Sequence, residues 1–481
     1  MHRLALSFSL LAASWWPLSA AATEPFTHVV LISVDGLHAQ DLQDWISAHP
    51  DSQLALWSQQ ARLYSAAYTP GPADSFPGLE ALISGADPQL SGLWYDVSWD
   101  RRLSPPASHC QVRGTTVRFD ESLDDHQGHI DPQRLPRDPD HGCQVVWPHQ
   151  YVRVNNVFSV VHQHHLRTAW MDKHPAYEFV QGPNGDAVDD LWTPEIGANF
   201  EGVVQTDNHI TGSLARTEAY DQGKMQALSF ELQGRGHDGH QAGPVPALLG
   251  LNLQSVSVAQ KLFGYDAAQQ PTPPLQQALA FCDAQLRHLQ ATLTAQHLNT
   301  HTLLIITAKH GNSPMRSERV RHVDVDQLRA AIAQAAPGAL AHLTADDVAL
   351  IWLHQAGDAG RLRQALLAQA DQLGIARIVD NDAATHDART PDLIVITQPG
   401  VIYGSSKTHK KAEHGGFAAD DRHVALMLVD HAPGQVISTR VSTQQVAPTI
   451  LQALHLPLAE LDAWTQEKVP VLPDTSTLAQ H

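Results

Sequence analysis

Four short stretches carry side chains whose types and placement could act on an anionic ester. "THVVLISVDG" is an apolar run that ends on Asp35 and Gly36. A carboxylate at a strand end is a good hard ligand for a divalent cation, although an isolated "DG" is more often a turn or a helix cap. "TPGPADSFPGLEALISG" delivers Ser75 from a rigid Pro- and Gly-rich loop to the start of a helix. A hydroxyl there sits near free backbone N–H groups and the positive end of the helix dipole, which favours phosphate or sulfate. Taken alone, Ser75 reads as an N-cap. "HTLLIITAKHGNSP" places Lys309 and His310 directly after a buried strand, and "KKAEHGGFAADDRHVAL" places His414 in a Gly-flanked loop before another. Each histidine alone says little. The four stretches together, each at a strand or helix edge, define a candidate centre.

The elements that must position these groups follow from pattern. Buried strand-like runs ("THVVLISVDG", "HTLLIITAKHG", "RHVALMLV") alternate with helical stretches such as "FPGLEALISGADP" and "TQQVAPTILQALHL". "DSQLALWSQQARLYS" also reads as a helix. Such alternation predicts an α/β fold, a mainly parallel central sheet with helices on both faces, whose chemistry gathers at the carboxyl ends of the strands. Two regions break the rhythm. Trp94 to about Gln150 is rich in Pro, Asp, His and Arg and reads as a long surface excursion. Residues 323–387 alternate helix and strand on their own ("VDVDQLRAAIAQAA", "DVALIWLH", "AGRLRQALLAQADQLG", "IARIVD"), which predicts a small inserted α/β subdomain. The core is then discontinuous, 23–322 and 388–475.

The chain opens with "MHRLALSFSLLAASWWPLSAAATEP", a short basic start, an apolar run and small residues suited to cleavage near Ala21 or Ala22. This pattern reads as a signal peptide over residues 1–22, and the protein as exported, periplasmic or extracellular. The run is interrupted by Ser7, Ser9, Ser14 and Pro17 and is short for a span of about 20 apolar residues, and no other stretch suits a transmembrane anchor. With 31 basic and 50 acidic side chains the net charge is −19, which argues against nonspecific nucleic-acid binding. Three cysteines make no disulfide scaffold. Cys110 and Cys143 bracket the Pro-rich excursion and could pair in an oxidising compartment, while Cys282 lies in a helical pattern as a small buried hydrophobe.

In order and context, "VVLISVDGL", "DSFPGLEALISGADPQLSG", "LLIITAKHG" and "EHGGF" resemble the alkaline phosphatase superfamily, and within it the type I phosphodiesterase and nucleotide pyrophosphatase family. The resemblance spans most of the mature chain. It implies an alkaline-phosphatase-like fold, a Ser75 nucleophile, Asp35 and His310 as ligands of one metal, and His414 as a ligand of a second. Two zinc ions flank the nucleophile in that family.

The sequence departs from the family pattern at two places. The "HG" turn normally carries Asp before its His, and here the residue is Lys309. The usual Asp and His four residues apart, within "PDxxGH", are missing; "LLGLNLQSVSVAQK" is the best-placed segment, with Asn252 standing for the Asp and Val256 for the His. "GRGHDGHQAG" offers His237, Asp238 and His240 as possible compensation, or as a surface loop. An ammonium beside Asp35 repels a dication and can take over its electrostatic role. The expected centre is therefore reduced, with one divalent ion, zinc, rather than two; Asp35, His310 and His414 either hold that ion or orient the nucleophile. Lys309 would stabilise the transferred group, and Lys173 in "AWMDKHPAYEF" either faces substrate phosphate or belongs to a charged turn. The expected activity is hydrolysis of a small phosphoester, in the manner of a phosphodiesterase. Two other readings stay open: a member that has lost its chemistry and binds a partner, or a single-metal sulfatase or phosphonate hydrolase. "SFPGL" lacks the Arg of the sulfatase C/S-x-P-x-R setting.

Overall fold

The unbroken apolar runs are strands buried on both faces. In β1 (His28–Val34), Val29 and Leu31 enter one hydrophobic core, while Val30, Ile32 and Val34 enter a second on the opposite face. The computed structural model describes residues 26–125, 127–195, 210–381, 387–405, 407, 409–475 and 478, so the leader expected at 1–22 lies outside the described residues. Besides β1, the large sheet contains β2 (Ala61–Tyr64), β3 (Thr168–Met171), β4 (Asp190–Trp192), β5 (Leu248–Leu253), β6 (Thr302–Thr307), β7 (Leu426–Val429) and β8 (Gln435–Ile437). Their order is β8-β2-β7-β6-β1-β5-β3-β4. Strands β6, β1, β5, β3 and β4 pair in parallel, and β7 alone runs against its neighbours β6 and β2. The mainly parallel α/β architecture expected from sequence is present.

Helices cover both faces, as continuous burial of the strands requires. On one side lie α1 (Ser75–Ser84), α2 (Val157–Gln163) and α6 (Val446–Ala453), packed through Leu79, Leu82, Val157, Val161, Val446 and Ile450. On the other lie α3 (Leu214–Leu232), α4 (Ser255–Leu262) and α5 (Pro273–Ala295). One expected element is different. The helix read over "DSQLALWSQQARLYS" is capped by Ser52 and ends at Ser58, and Ala61–Tyr64 is β2. The apolar spacing of that stretch fits either state, and pairing of Ala61, Arg62 and Leu63 with β7 decides it.

A separate antiparallel sheet joins Leu340–Ala345, Val348–Leu353, Leu393–Thr397 and Ile375–Asp380, in that spatial order. It has its own core around Leu328, Ile332, Ile351, Leu362 and Val395. Its strand Leu393–Thr397 lies beyond the boundary expected at 387. The excursion after Trp94 forms two small hairpins, Val97–Asp100 with Thr115–Arg118 and Arg137–Asp138 with Gln144–Val145. Cys110 and Cys143 are bonded, with Cα atoms 5.9 Å apart, and Cys282 is buried and free.

Candidate active site

Adjacent parallel strands bring their carboxyl ends to one edge, and the candidate groups gather there. Asp35 follows β1, Asn252 is the penultimate residue of β5, Asp172 and Lys173 follow β3, and Lys309 and His310 follow β6. Ser75 is the first residue of α1, with Asp74 as N-cap accepting from the Phe76 N–H. Gly78 lets this helix close on the β6 turn: a Cβ there would stand 2.4 Å from the Lys309 carbonyl oxygen. The order β6-β1-β5-β3 sets the lysines of β6 and β3 on either side of Asp35.

Ser75 Oγ lies 3.1 Å from Nε2 of His310, and the Lys173 ammonium donates to the same oxygen at 3.3 Å. His310 Nδ1 faces the Gly311 carbonyl at 2.9 Å. A carbonyl only accepts, so Nδ1 carries the proton and Nε2 is left to accept from Ser75. Burial pushes His310 down to about 3, against the opposing pull of Asp35, so the ring is neutral. The His414 ring lies beside it, tilted by 55° with ring centroids 3.9 Å apart, and burial together with His310 also holds it well below its usual value.

Asp35 is the hub. Lys309 Nζ lies 3.4 Å from its Oδ1, Lys173 Nζ 3.5 Å from its Oδ2, and Asn252 donates to Oδ2 at 3.0 Å. Burial alone would favour the neutral acid, but the two ammoniums overcome it and hold Asp35 far below the usual carboxylate range. Lys309 is fully buried, 4.0 Å from Asp172, and it donates to Tyr177 Oη at 3.3 Å while sitting over that ring. Burial lowers its pKa, with Asp172 and Asp35 opposing. Burial disfavours the charged form of Lys173 too, but there Asp35 and Asp172 prevail and its pKa is raised.

The site residues expected from sequence thus converge: Asp35, Ser75, Lys173 and His414 line one cavity, and Lys309, His310 and Asn252 lie buried behind them in contact with Asp35 or Ser75. Val256 is buried in the core at the foot of α4 and contributes no ligand atom. His237 does not compensate. Its Nδ1 pairs with Asp190 at 2.6 Å, and Asp190 opens β4, at the edge of the sheet opposite the site. Sequence reading did not anticipate Tyr177, Asp172 as the second carboxylate on Lys309, or the Lys261, Lys410 and Glu413 group on the outer wall of the cavity. That cavity, about 400 Å³, is also lined by Asp96, Asp346, Lys261, Lys410 and Glu413. Lys261 pairs with Glu413 at 2.6 Å and Lys410 reaches the same carboxylate. Asp96 faces Asp74 and Asp346, and burial with these like charges pushes it well above its usual value.

The donor set can be tested against the metals that the resemblance implies. Enzymes of the alkaline phosphatase superfamily use divalent metals such as zinc. Among the described residues of this chain, no three His, Cys, Asp or Glu side chains are arranged to hold an ion. Both Asp35 oxygens already face ammoniums, and like charges about 4 Å apart repel by about 4 kcal/mol per unit charge at an effective dielectric near 20, twice that for a dication. The residues do not fit two zinc ions. Nor do they form the single-ion set expected of Asp35, His310 and His414, because Lys309 and Lys173 already neutralise Asp35.

The sequence model of the type I phosphodiesterase / nucleotide pyrophosphatase family matches residues 29–418, and this chain belongs to that family of phosphoester hydrolases. No curated protein matches it in sequence. Among solved structures it is similar to wild-type alkaline phosphatase PafA, with TM-score 0.64 and 11% identity, covering 91% of this chain and 97% of that one. It is similar to murine ectonucleotide pyrophosphatase / phosphodiesterase 5, with TM-score 0.56 and 12% identity over 92% and 99% of the two chains. Phosphonoacetate hydrolase from Sinorhizobium meliloti gives TM-score 0.56 and 14% identity over 90% and 96%. At these identities the structural likeness carries the fold: the alkaline-phosphatase-like arrangement expected from sequence. Among the described residues no helix is long and apolar enough to cross a membrane.

Proposed function

We propose that this chain is an exported hydrolase of small phosphoesters, acting as a phosphodiesterase with Ser75 as nucleophile. The observation that carries the reading is Ser75 Oγ held between Nε2 of His310 and the Lys173 ammonium at a helix N-terminus. In the first step Oγ attacks phosphorus in line while its proton passes to His310 Nε2. The P–O bond to the leaving group breaks on the opposite side, toward the open cavity, where solvent protonates the departing oxygen. Lys309 and Lys173 stabilise negative charge on the phosphoryl oxygens. Water then attacks phosphorus, the Oγ–P bond breaks, His310 returns its proton to Ser75 Oγ, and the proton of the attacking water is lost to solvent. The zinc ion of the sequence expectation has no place in this scheme, since Asp35 is held by two ammoniums and His310 by Ser75 and the Gly311 carbonyl.

Family membership supports the reaction class. An inactive form of murine ectonucleotide pyrophosphatase / phosphodiesterase 5 has been solved with AMP, which makes nucleotide diesters a first substrate set to try. Export is supported by the leader-like residues 1–22 and by the Cys110–Cys143 bond, which suits an oxidising compartment. The test is hydrolysis of an aryl phosphodiester by the mature chain beside Ser75→Ala. Turnover lost in the variant supports the reading. No turnover by either protein, with or without added zinc, manganese or calcium, turns the assignment to a binding protein.

A further inference from the structure

We infer that the reaction centre of this chain carries its positive charge in two lysine side chains, Lys309 and Lys173, and holds no resident metal ion. The catalytic half of this inference rests on the hydrolase reading above; the binding half does not.

Three observations carry it. The first is the division of Asp35, whose two oxygens are taken by different ammoniums, Oδ1 by Lys309 at 3.4 Å and Oδ2 by Lys173 at 3.5 Å. Asn252 adds a donor to Oδ2 at 3.0 Å, so the side toward β5 presents an amide N–H to this carboxylate, not a further anionic ligand. The second is confinement. Lys309 is fully buried between Asp35, Asp172 and Tyr177, so it cannot swing into solvent to make room for an ion. The third is charge. Two carboxylates, Asp35 and Asp172, meet two ammoniums, and the inner centre is balanced as it stands. A dication added there would be a buried charge without a counter-charge, the costliest arrangement in a protein interior.

Lys173 also stands where the chemistry needs it, donating to Ser75 Oγ, the attacking oxygen, while Lys309 adds its charge from behind Asp35 on the β6 side. An ammonium offers three directed donors to non-bridging oxygens and cannot deliver a metal-bound hydroxide. The nucleophile of this site is therefore the serine oxygen throughout the first step, and its proton acceptor is His310.

The test uses the mature chain purified without added metal. Zinc, manganese and calcium are measured per chain, zinc is titrated calorimetrically, and the same is done for Asp35→Asn, Lys309→Asp and the triple variant Lys309→Asp, Asn252→Asp, Val256→His. The expected result is no stoichiometric ion in the wild type, a melting temperature and aryl diester turnover unchanged by EDTA, and zinc binding acquired by Lys309→Asp or the triple variant. Lys173→Met is expected to lower kcat by about 10²–10³-fold without zinc restoring it. Stoichiometric zinc in the wild type that is lost in Asp35→Asn overturns the inference, as does turnover that appears only when zinc is added. If the triple variant does not fold, the wild-type metal content and the EDTA result decide. A zinc-free wild type with no turnover under any condition upholds the charge assignment and sinks the hydrolase reading, so the two fail separately.

Discussion

Ser75 Oγ and His310 Nε2 face each other at 3.1 Å, with the other ring nitrogen of His310 fixed on the Gly311 carbonyl at 2.9 Å. The pair has the geometry of a hydroxyl and its base, and the fixed tautomer aims the lone pair at the serine.

Replacing His310 by Ala removes this acceptor. The expected loss in kcat toward an aryl phosphodiester is about 10²–10⁴-fold, with the far-UV circular dichroism unchanged. A folded His310→Ala variant with wild-type kcat would show that Ser75 gives up its proton elsewhere.

Glu80 lies within α1, about 1% exposed, its carboxyl buried in the core beside Ser84 with no cation paired to it among the described residues. Burial raises its pKa from the ordinary 4.5 to about 8. Between those values the folded chain holds a proton that the unfolded chain releases. Stability from this group is therefore complete below pH 4.5 and is lost as pH rises toward 8. The loss is on the order of 5 kcal/mol, at about 1.4 kcal/mol per pH unit. Glu80→Gln should raise the melting temperature at pH 9 far more than at pH 5. An equal shift at both pH values would mean that Glu80 is ionised in the folded chain.

Gly to Ala inside a helix ordinarily stabilises by about 0.5–1 kcal/mol. At Gly78 the sign should reverse, because the added methyl would press on the Lys309 carbonyl 2.4 Å away, and backbone cannot give way as a side-chain tip can. Gly78→Ala is expected to cost about 1–3 kcal/mol and to lower kcat by moving Ser75 away from the β6 turn. Denaturant unfolding and steady-state kinetics read the two effects, and a stabilised, fully active variant would rule this contact out.

Thiol counting checks the excursion. Denatured without reductant, the chain should present one reactive thiol, Cys282, and three after reduction. Closing a loop of 33 residues is worth about 3–4 kcal/mol in chain entropy, so Cys110→Ser with Cys143→Ser should lower the melting temperature. Three thiols before reduction would contradict the bond.

Much of the centre was legible because strand ends announce themselves. "LISVDG" and "LIITAKHG" are mostly apolar, and their first charged residues, Asp35 and Lys309, with His310 next, had to emerge at the sheet edge. Ser75 was marked by the Pro- and Gly-rich entry to its helix. Lys173 carried the same signal more faintly, since "LRTAWM" is short and its Arg167 obscures the strand. Tyr177, Lys261 and Glu413 gave none: their roles come from contacts with residues more than a hundred positions away, as in Lys309 with Tyr177 and Lys261 with Glu413. The β2 strand was missed because Ala61–Tyr64 continues a helical spacing, and only its neighbour β7 forces it to extend.

The reversed direction of β7 has a consequence for how the catalytic edge is supplied. A parallel strand contributes to that edge only the residues that follow it. Strand β7 points the other way, so the chain arrives at the edge before entering the sheet, and the loop carrying Glu413 and His414 is an approach road and not an exit. Its sequence is therefore free of the need to lead into a crossover helix. Insertions here can reshape the mouth of the cavity without re-threading a single connection of the sheet.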